Sequence, residues 1–232
     1  MTELEKKMLL TKDEYEYLMK LFTKLQSSRK LSSAKQINYY FDTDKFEMNR
    51  QNTTCRIRFK DGKYKGTIKR HFIDTDKSIE DEIEIYDGVN NNAFTDMGMN
   101  MYGSIMTERC IVIKNAGLEV VLDKNEYLGI IDYELEIEYD PESELEAHIV
   151  FHHIRNELMQ LRWYKENTKK NMESQATPCK SKRFFERYIS ERSKTIDSKL
   201  CCCKSTEIEY GDPDEYLKNY ITNQMINIKK GN

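Results

Sequence analysis

No run in this 232-residue chain is long and uncharged enough to cross a membrane as a helix, and 33% of its residues are charged. The opening MTELEKKMLL carries acids where a signal peptide would place a basic segment and then an apolar one. No Cys-x-x-Cys pair occurs among the six cysteines, which are Cys55, Cys110, Cys179 and the run Cys201-Cys202-Cys203. That argues against a zinc centre and, with no signal peptide, for reduced thiols in a cytoplasm. The triple cysteine is read as a feature of a flexible tail rather than a redox or metal site. Charge imbalance is missing too: 37 basic residues meet 40 acidic ones for a net −3. Nothing in bulk charge therefore directs the chain to nucleic acid or membrane. Internal repeats and low-complexity tracts are absent. What remains is a cytoplasmic globular protein whose charges matter by position.

What the chain does have is alternation. In DYELEIEYD, Asp132, Glu134, Glu136 and Glu138 alternate with Tyr133, Leu135, Ile137 and Tyr139. A strand of period two puts the carboxylates on one face and the apolar groups on the other. Like charges along one face repel, so something must compensate them. The same pattern recurs along the first two thirds of the chain. TELEKKMLL sets Glu3, Glu5 and Lys7 against Leu4, Lys6 and Met8; KQINYYFDT sets Gln36, Asn38, Tyr40 and Asp42 against Ile37, Tyr39 and Phe41. CRIRFK carries Arg56, Arg58 and Lys60, and KYKGTIKR carries Lys63, Lys65, Thr67 and Lys69, with an Asp61-Gly62 hairpin turn between them. IEDEIEIY aligns Glu80, Glu82 and Glu84; IMTERCIVIK carries Arg109; LEVVLDKNEY places Glu119, Val121 and Asp123 together.

Helical spacing appears at Tyr15, Leu18, Met19, Phe22 and Leu25, with Thr11 as N-cap. It returns after Pro141, where Leu145, Ile149, Leu158 and Leu161 fall along one side, and in SKRFFERYISER. From about Ser193 the chain turns polar, with an amphipathic stretch at PDEYLKNYITNQMINIKK. Roughly eight short antiparallel strands with turns between them point to a barrel or a sandwich. The helices need an apolar sheet face to cover, and the strands offer one. Their polar faces then either meet water, as in a half-solvated sheet, or line a closed wet interior. Charges of one sign are grouped strand by strand, which favours the interior. Clustered carboxylates bind Mg²⁺ or Mn²⁺, and clustered Arg and Lys hold phosphate oxygens. Divalent metal with a phosphate chain beyond it is thus the expected counterpart of the acidic strand.

Glu3-Leu4-Glu5-Lys6-Lys7 resembles the Glu-x-Glu-x-Lys signature of CYTH domains, the triphosphate tunnel metalloenzymes. The resemblance continues in order through QINYYFDT, RIR, GTIK, EDEIEI, Arg109, LDKNEYLGIIDYELEIE and KSKRFFERY. The chain looks most like the small bacterial, Firmicute-type branch. Where many relatives carry a glycine before Arg-x-Arg, this chain reads NTTCRIR.

The resemblance implies an α+β fold: a closed eight-stranded antiparallel β-barrel with a charged lumen, flanked by helices. It implies a tunnel domain over 1–190 and a separate C-terminal extension over 191–232. It further implies metal-dependent hydrolysis of a linear triphosphate, inorganic tripolyphosphate first, with Mg²⁺ or Mn²⁺ as cofactor. A class-IV-type adenylyl cyclase, a thiamine triphosphatase and a non-catalytic polyphosphate-binding module are the alternatives. Glu3, Glu5, Asp123, Glu134 and Glu136 would be metal ligands. Lys7, Arg56, Arg58, Lys65, Lys69, Arg109 and Lys182 would hold phosphates. Glu82, Glu84 and Glu138 would form a second acidic cluster. Lys7 or Lys69 would assist as a base if neighbours lower its pKa, with Tyr40 orienting it or the water. The expected partner is a triphosphate-containing small molecule, not nucleic acid or membrane, and the expected state a monomer or homodimer.

Overall fold

The computed structural model describes residues 2–25, 31–72, 75–165 and 177–197. The triple cysteine and the amphipathic stretch near the C-terminus lie outside them. In chain order the elements are β1 (Thr2–Leu10), α1 (Lys12–Leu25), β2 (Ser32–Asp42), α2 (Glu47–Arg50), β3 (Thr53–Lys60), β4 (Lys63–His71) and β5 (Lys77–Ile83). A two-stranded ribbon, β6 (Ile85–Asp87) and β7 (Asn91–Asn92), precedes the short α3 (Ala93–Asp96). Then come β8 (Asn100–Asn115), β9 (Leu118–Tyr127), β10 (Ile130–Tyr139), α4 (Glu144–Lys165) and α5 (Lys180–Asp197). No helix among the described residues is long and apolar enough to cross a membrane.

Eight strands close into an antiparallel barrel in the order β1-β10-β9-β8-β2-β3-β4-β5, with β5 pairing back onto β1. Turn chemistry sets the registers. Asp61 and Gly62 take φ of 51° and 76°, the two positive values that a tight hairpin needs. Asn52 supplies a φ of 54° just before β3. Asparagine tolerates that conformation better than most residues.

Partners across an antiparallel pair share a face. Glu134 therefore lines up with Asp123, and Asp123 with Arg109. Arg56 lines up with Tyr40 on one side and Thr67 on the other. These side chains point inward and the apolar ones point outward. Leu122, Leu135 and Ile137 pack beneath Leu18 and Phe22 of α1 and Ala147, Ile154 and Leu158 of α4. Phe41, Ile57 and Ile68 pack beneath Met48, Phe94 and Met97 on the other flank. The barrel is thus inverted relative to a small apolar-filled one.

Thr11 caps α1 reciprocally: its Oγ1 accepts from the Glu14 amide at 3.3 Å, and the Glu14 carboxylate accepts from the Thr11 amide at 2.8 Å. Some expected core positions are outside it. Leu25 is 68% exposed, Leu145 74% and Ile149 49%. The buried stripe of α4 runs through Ala147, Ile154 and Leu158 with Leu161 packed against it, so the C-terminal half of the expected side is inside while Leu145 and Ile149 are not.

Helix α5 buries Phe184 and Phe185 against Tyr40, with ring centroids 5.3 and 6.3 Å away. Gly103, at φ +146°, makes room for it: a Cβ there would lie 2.9 Å from Phe184 Cζ. The first turn of α5 is thereby delivered into the lumen.

Candidate active site

The lumen encloses about 120 Å³ and has an acidic and a basic wall. The acidic wall is β1, β9 and β10. Glu3, Glu5, Glu136 and Glu138 line the cavity, whereas Asp123 and Glu134 are fully buried behind it. Arg109 crosses from β8 and grips Asp123 with two bonds, Nε to Oδ1 at 3.0 Å and Nη2 to Oδ2 at 2.8 Å. It also donates to Glu136, and to Glu138 Oε1 at 3.0 Å. Burial works against charge on Glu136, but Lys180, Arg109 and Lys7 outweigh it and hold that carboxyl well below the usual range. At Glu138 burial prevails over Arg109 and the pKa rises.

Opposite stand Arg56 and Arg58 on β3. Arg56 donates to Glu80 at 2.9 Å and to Thr67 at 3.1 Å. Arg58 donates to Asn38 at 3.0 Å, and among the described residues it makes no ion pair. The charge of neighbouring Arg56, then burial, then Arg109 bring its pKa down to about 10. Between the walls, Lys7 donates to Glu5 at 2.7 Å, and Lys69 to Glu3 at 2.5 Å. Burial favours neutral Glu5, yet Lys7 and Lys69 prevail and take it down to about 2. Lys7 is moved the other way from the expectation for a base. Burial opposes its charge, but Glu5, Glu136 and Glu134 push its pKa up. Tyr40 is buried and kept neutral, burial outweighing the nearby Arg56 and Lys180.

Not every expected residue joins them. Lys65 pairs with Glu82 at 2.7 Å on the lumen face of β4 and β5, but their side chains are 52% and 75% exposed and neither borders the cavity. Glu84 lies beyond the end of β5 and is exposed. Glu82 and Glu84 therefore form no cluster with Glu138, which belongs to the Arg109 network. The reason is register: Glu82 stands opposite Thr67 near the rim, and Glu138 opposite Glu5 in the lumen. Lys182 lines a second cavity of about 420 Å³ at the mouth, shared with Lys7, Arg50, His71 and Phe72.

The CYTH domain family matches residues 1–167. A Bacillus subtilis (strain 168) protein, YjbK, whose triphosphatase activity is itself only proposed, is 31% identical over 150 residues, spanning 59% of this chain and 76% of that one. The chain belongs to the CYTH family. The solved structure of a candidate adenylate cyclase from Bacillus halodurans superposes with a TM-score of 0.50 at 23% identity. It spans 79% of this chain and 97% of its own, and it bears on the fold alone.

In this CYTH barrel the acidic wall has cations that the sequence reading missed. Lys180 Nζ lies 2.9 Å from Asp123 Oδ2, 3.0 Å from Glu134 Oε2 and 2.6 Å from Glu136 Oε1. Arg183 donates to Glu134 Oε2 at 2.8 Å and to Asp132 Oδ2 at 3.0 Å. Burial opposes the charge of Lys180, but Glu134, Glu136 and Asp123 hold its pKa well above the ordinary lysine range. A signal existed. Lys180, Arg183 and Phe184 stand at i, i+3 and i+4, one helix face, and Lys182 is off it.

Mg²⁺ and Mn²⁺ prefer hard oxygen donors. The acidic wall is made of nothing else, and Glu134 Oε1 is a buried carboxylate oxygen without a hydrogen-bond partner among the described residues. The donor set fits such an ion. Among the described residues, however, no three His, Cys, Asp or Glu side chains are gathered in metal-holding geometry. The carboxylates close on Arg109, Lys180 and Arg183 instead.

Proposed function

We propose that this CYTH protein hydrolyses a linear triphosphate, with inorganic tripolyphosphate as the simplest candidate and Mg²⁺ or Mn²⁺ as cofactor. One observation carries the reading: Arg58, crowded by Arg56 and Arg109, holds a guanidinium with no ion pair among the described residues, in a lumen where the other cations are paired. Such a group favours an anion with several charged oxygens.

Arg56, Arg58 and Arg109 hold the phosphate chain against the basic wall. Lys7 is kept protonated by Glu5 and serves as a donor to a phosphate oxygen; Lys69, ion-paired to Glu3, serves likewise. Tyr40, a neutral phenol, orients the attacking water. Glu3, Glu5 and Glu136, with Glu134 and Asp123 behind them, would hold the metal ion. When bound, that ion supplies charge neutralisation and polarises the terminal phosphoryl group.

A second reading rests on the mouth cavity. Its 420 Å³, against 120 Å³ in the lumen, leaves room for an organic group on the triphosphate. That keeps nucleoside and thiamine triphosphates, and the cyclase reaction, in view.

The test is phosphate release from tripolyphosphate, ATP, thiamine triphosphate and pyrophosphate with Mg²⁺ or Mn²⁺, beside a Glu136→Gln variant. Fast release from tripolyphosphate, lost in the variant, is expected. Faster turnover of ATP to cyclic AMP and pyrophosphate would replace hydrolysis by cyclisation. Tight triphosphate binding without turnover would make the chain a binding module and end the enzyme reading.

A further inference from the structure

Lys180 occupies the oxygens that the acidic wall would offer a metal ion. Its ammonium touches Asp123, Glu134 and Glu136 within 3.0 Å, and an incoming cation needs those same oxygens. With Lys180 counted, three cations meet these three carboxylates, because Arg109 serves Asp123 and Glu136, Arg183 serves Glu134, and Lys180 touches all three. A divalent ion placed among them with Lys180 in position would meet a like charge at contact distance, in surroundings where screening is weak. Glu134 also keeps one buried oxygen, Oε1, without a hydrogen-bond partner among the described residues. The lysine therefore balances charge without saturating the site.

The rest of α5 is anchored by contacts that do not involve this side chain. Phe184 and Phe185 are buried in the aromatic cluster with Tyr40 and Tyr127. Lys180, at the N-terminal end of the helix, reaches the carboxylates through a flexible four-carbon stem. Its side chain can withdraw without undocking the helix.

We propose that Lys180 is a tethered counter-ion that competes with the divalent cation for Asp123, Glu134 and Glu136, and so sets the metal affinity of the tunnel. This rests on reading the acidic wall as the metal subsite. The competition weakens metal binding in the empty tunnel, and it is relieved when the ammonium is removed or finds another anion.

The experiment is titration of Mn²⁺ into the full chain without any phosphate, read by calorimetry or by the electron paramagnetic resonance of free Mn²⁺. Lys180→Met is expected to bind Mn²⁺ about tenfold or more tightly than the unmodified chain. Lys180→Arg, which keeps the charge, should stay weak. Lys114→Met, which removes a charge from an exposed pair with Glu119, should leave the affinity unchanged and so controls for net charge. If Lys180→Met does not fold, Lys180→Gln gives the same readout while keeping a donor for Glu136. Equal or weaker Mn²⁺ binding by the neutral variant overturns the competition. Absence of Mn²⁺ binding by every protein overturns the metal subsite along with it. Tripolyphosphate turnover, measured separately, then tells whether the functional reading survives.

Discussion

Arg183, one turn into α5, donates to Glu134 Oε2 on β10 at 2.8 Å, tying the C-terminal helix to the floor of the tunnel. Glu134 is fully buried and the Arg183 side chain is 8% exposed. Lys180 still pairs with Glu134 when Arg183 is removed, so the loss is that of buried charge-assisted hydrogen bonds, about 1.5–3 kcal/mol, rather than of a fully uncompensated charge. Arg183→Ala should lower stability by that order in urea unfolding. A loss under about 1 kcal/mol would mean the pair is solvated in solution.

The seating of the helix depends on Gly103. Its φ of +146° and the 2.9 Å approach to Phe184 leave no place for a methyl group. Gly103→Ala should cost about 1–3 kcal/mol and lower the melting temperature. The same variant should expose Phe184 and Phe185, read by increased binding of a hydrophobic dye. Unchanged melting would show that the helix shifts freely by a few tenths of an ångström.

Phosphate affinity should divide the basic residues sharply. Arg58→Ala is expected to raise KM for tripolyphosphate by about 10- to 100-fold, the value of one or two charge-assisted bonds. Lys65→Ala and Glu82→Gln should leave it within about twofold, because those side chains satisfy each other at the exposed rim. Steady-state kinetics on the three variants decides. Equal effects at Arg58 and Lys65 would place the phosphates nearer the rim than the geometry does.

Cys179 gives the pH dependence. It lines both cavities and lies 3.2 Å from Ser181 Oγ. Burial alone would raise its pKa, but bonds and charge from His71, then Ser181 and Lys7, draw it down to about 6. Alkylation by iodoacetamide should therefore rise through a midpoint near pH 6 and slow when tripolyphosphate fills the tunnel. Cys55, buried and pushed up, should stay unreacted in the folded protein. The sign for stability follows from the same direction. A thiol whose folded pKa lies below its unfolded one adds stability above the usual thiol range, and loses it as pH falls through about 6. Peptide mass mapping across pH tests this; a rate still climbing through pH 8 would mean an ordinary thiol.

Much of the site was legible because a strand has period two. Glu3, Glu5 and Lys7, or Arg56 and Arg58, must share a face once β1 and β3 form, and each pairing copies that face to its neighbour. Depth along the barrel was not legible. Lys65 and Glu82 satisfy the alternation as well as Lys69 and Glu80 do, yet only the latter positions reach the enclosed part, since closure and shear decide how far along a strand the lumen extends. Helix α4 misled in part for a related reason. Leu145 and Ile149 have helical spacing, but which residues meet the barrel depends on how the helix lies across it.

The sequence by itself determined which residue types face inward and the turn at Asp61-Gly62, because these rest on local periodicity and local backbone preference, and its ordered motifs carried the resemblance to the family. Only the tertiary structure decided what neutralises the acidic strand. Lys180 and Arg183 come from a helix 44 to 57 residues further along the chain than the carboxylates they meet. A charge balance of that kind is a property of juxtaposed elements, and no pattern within one strand contains it.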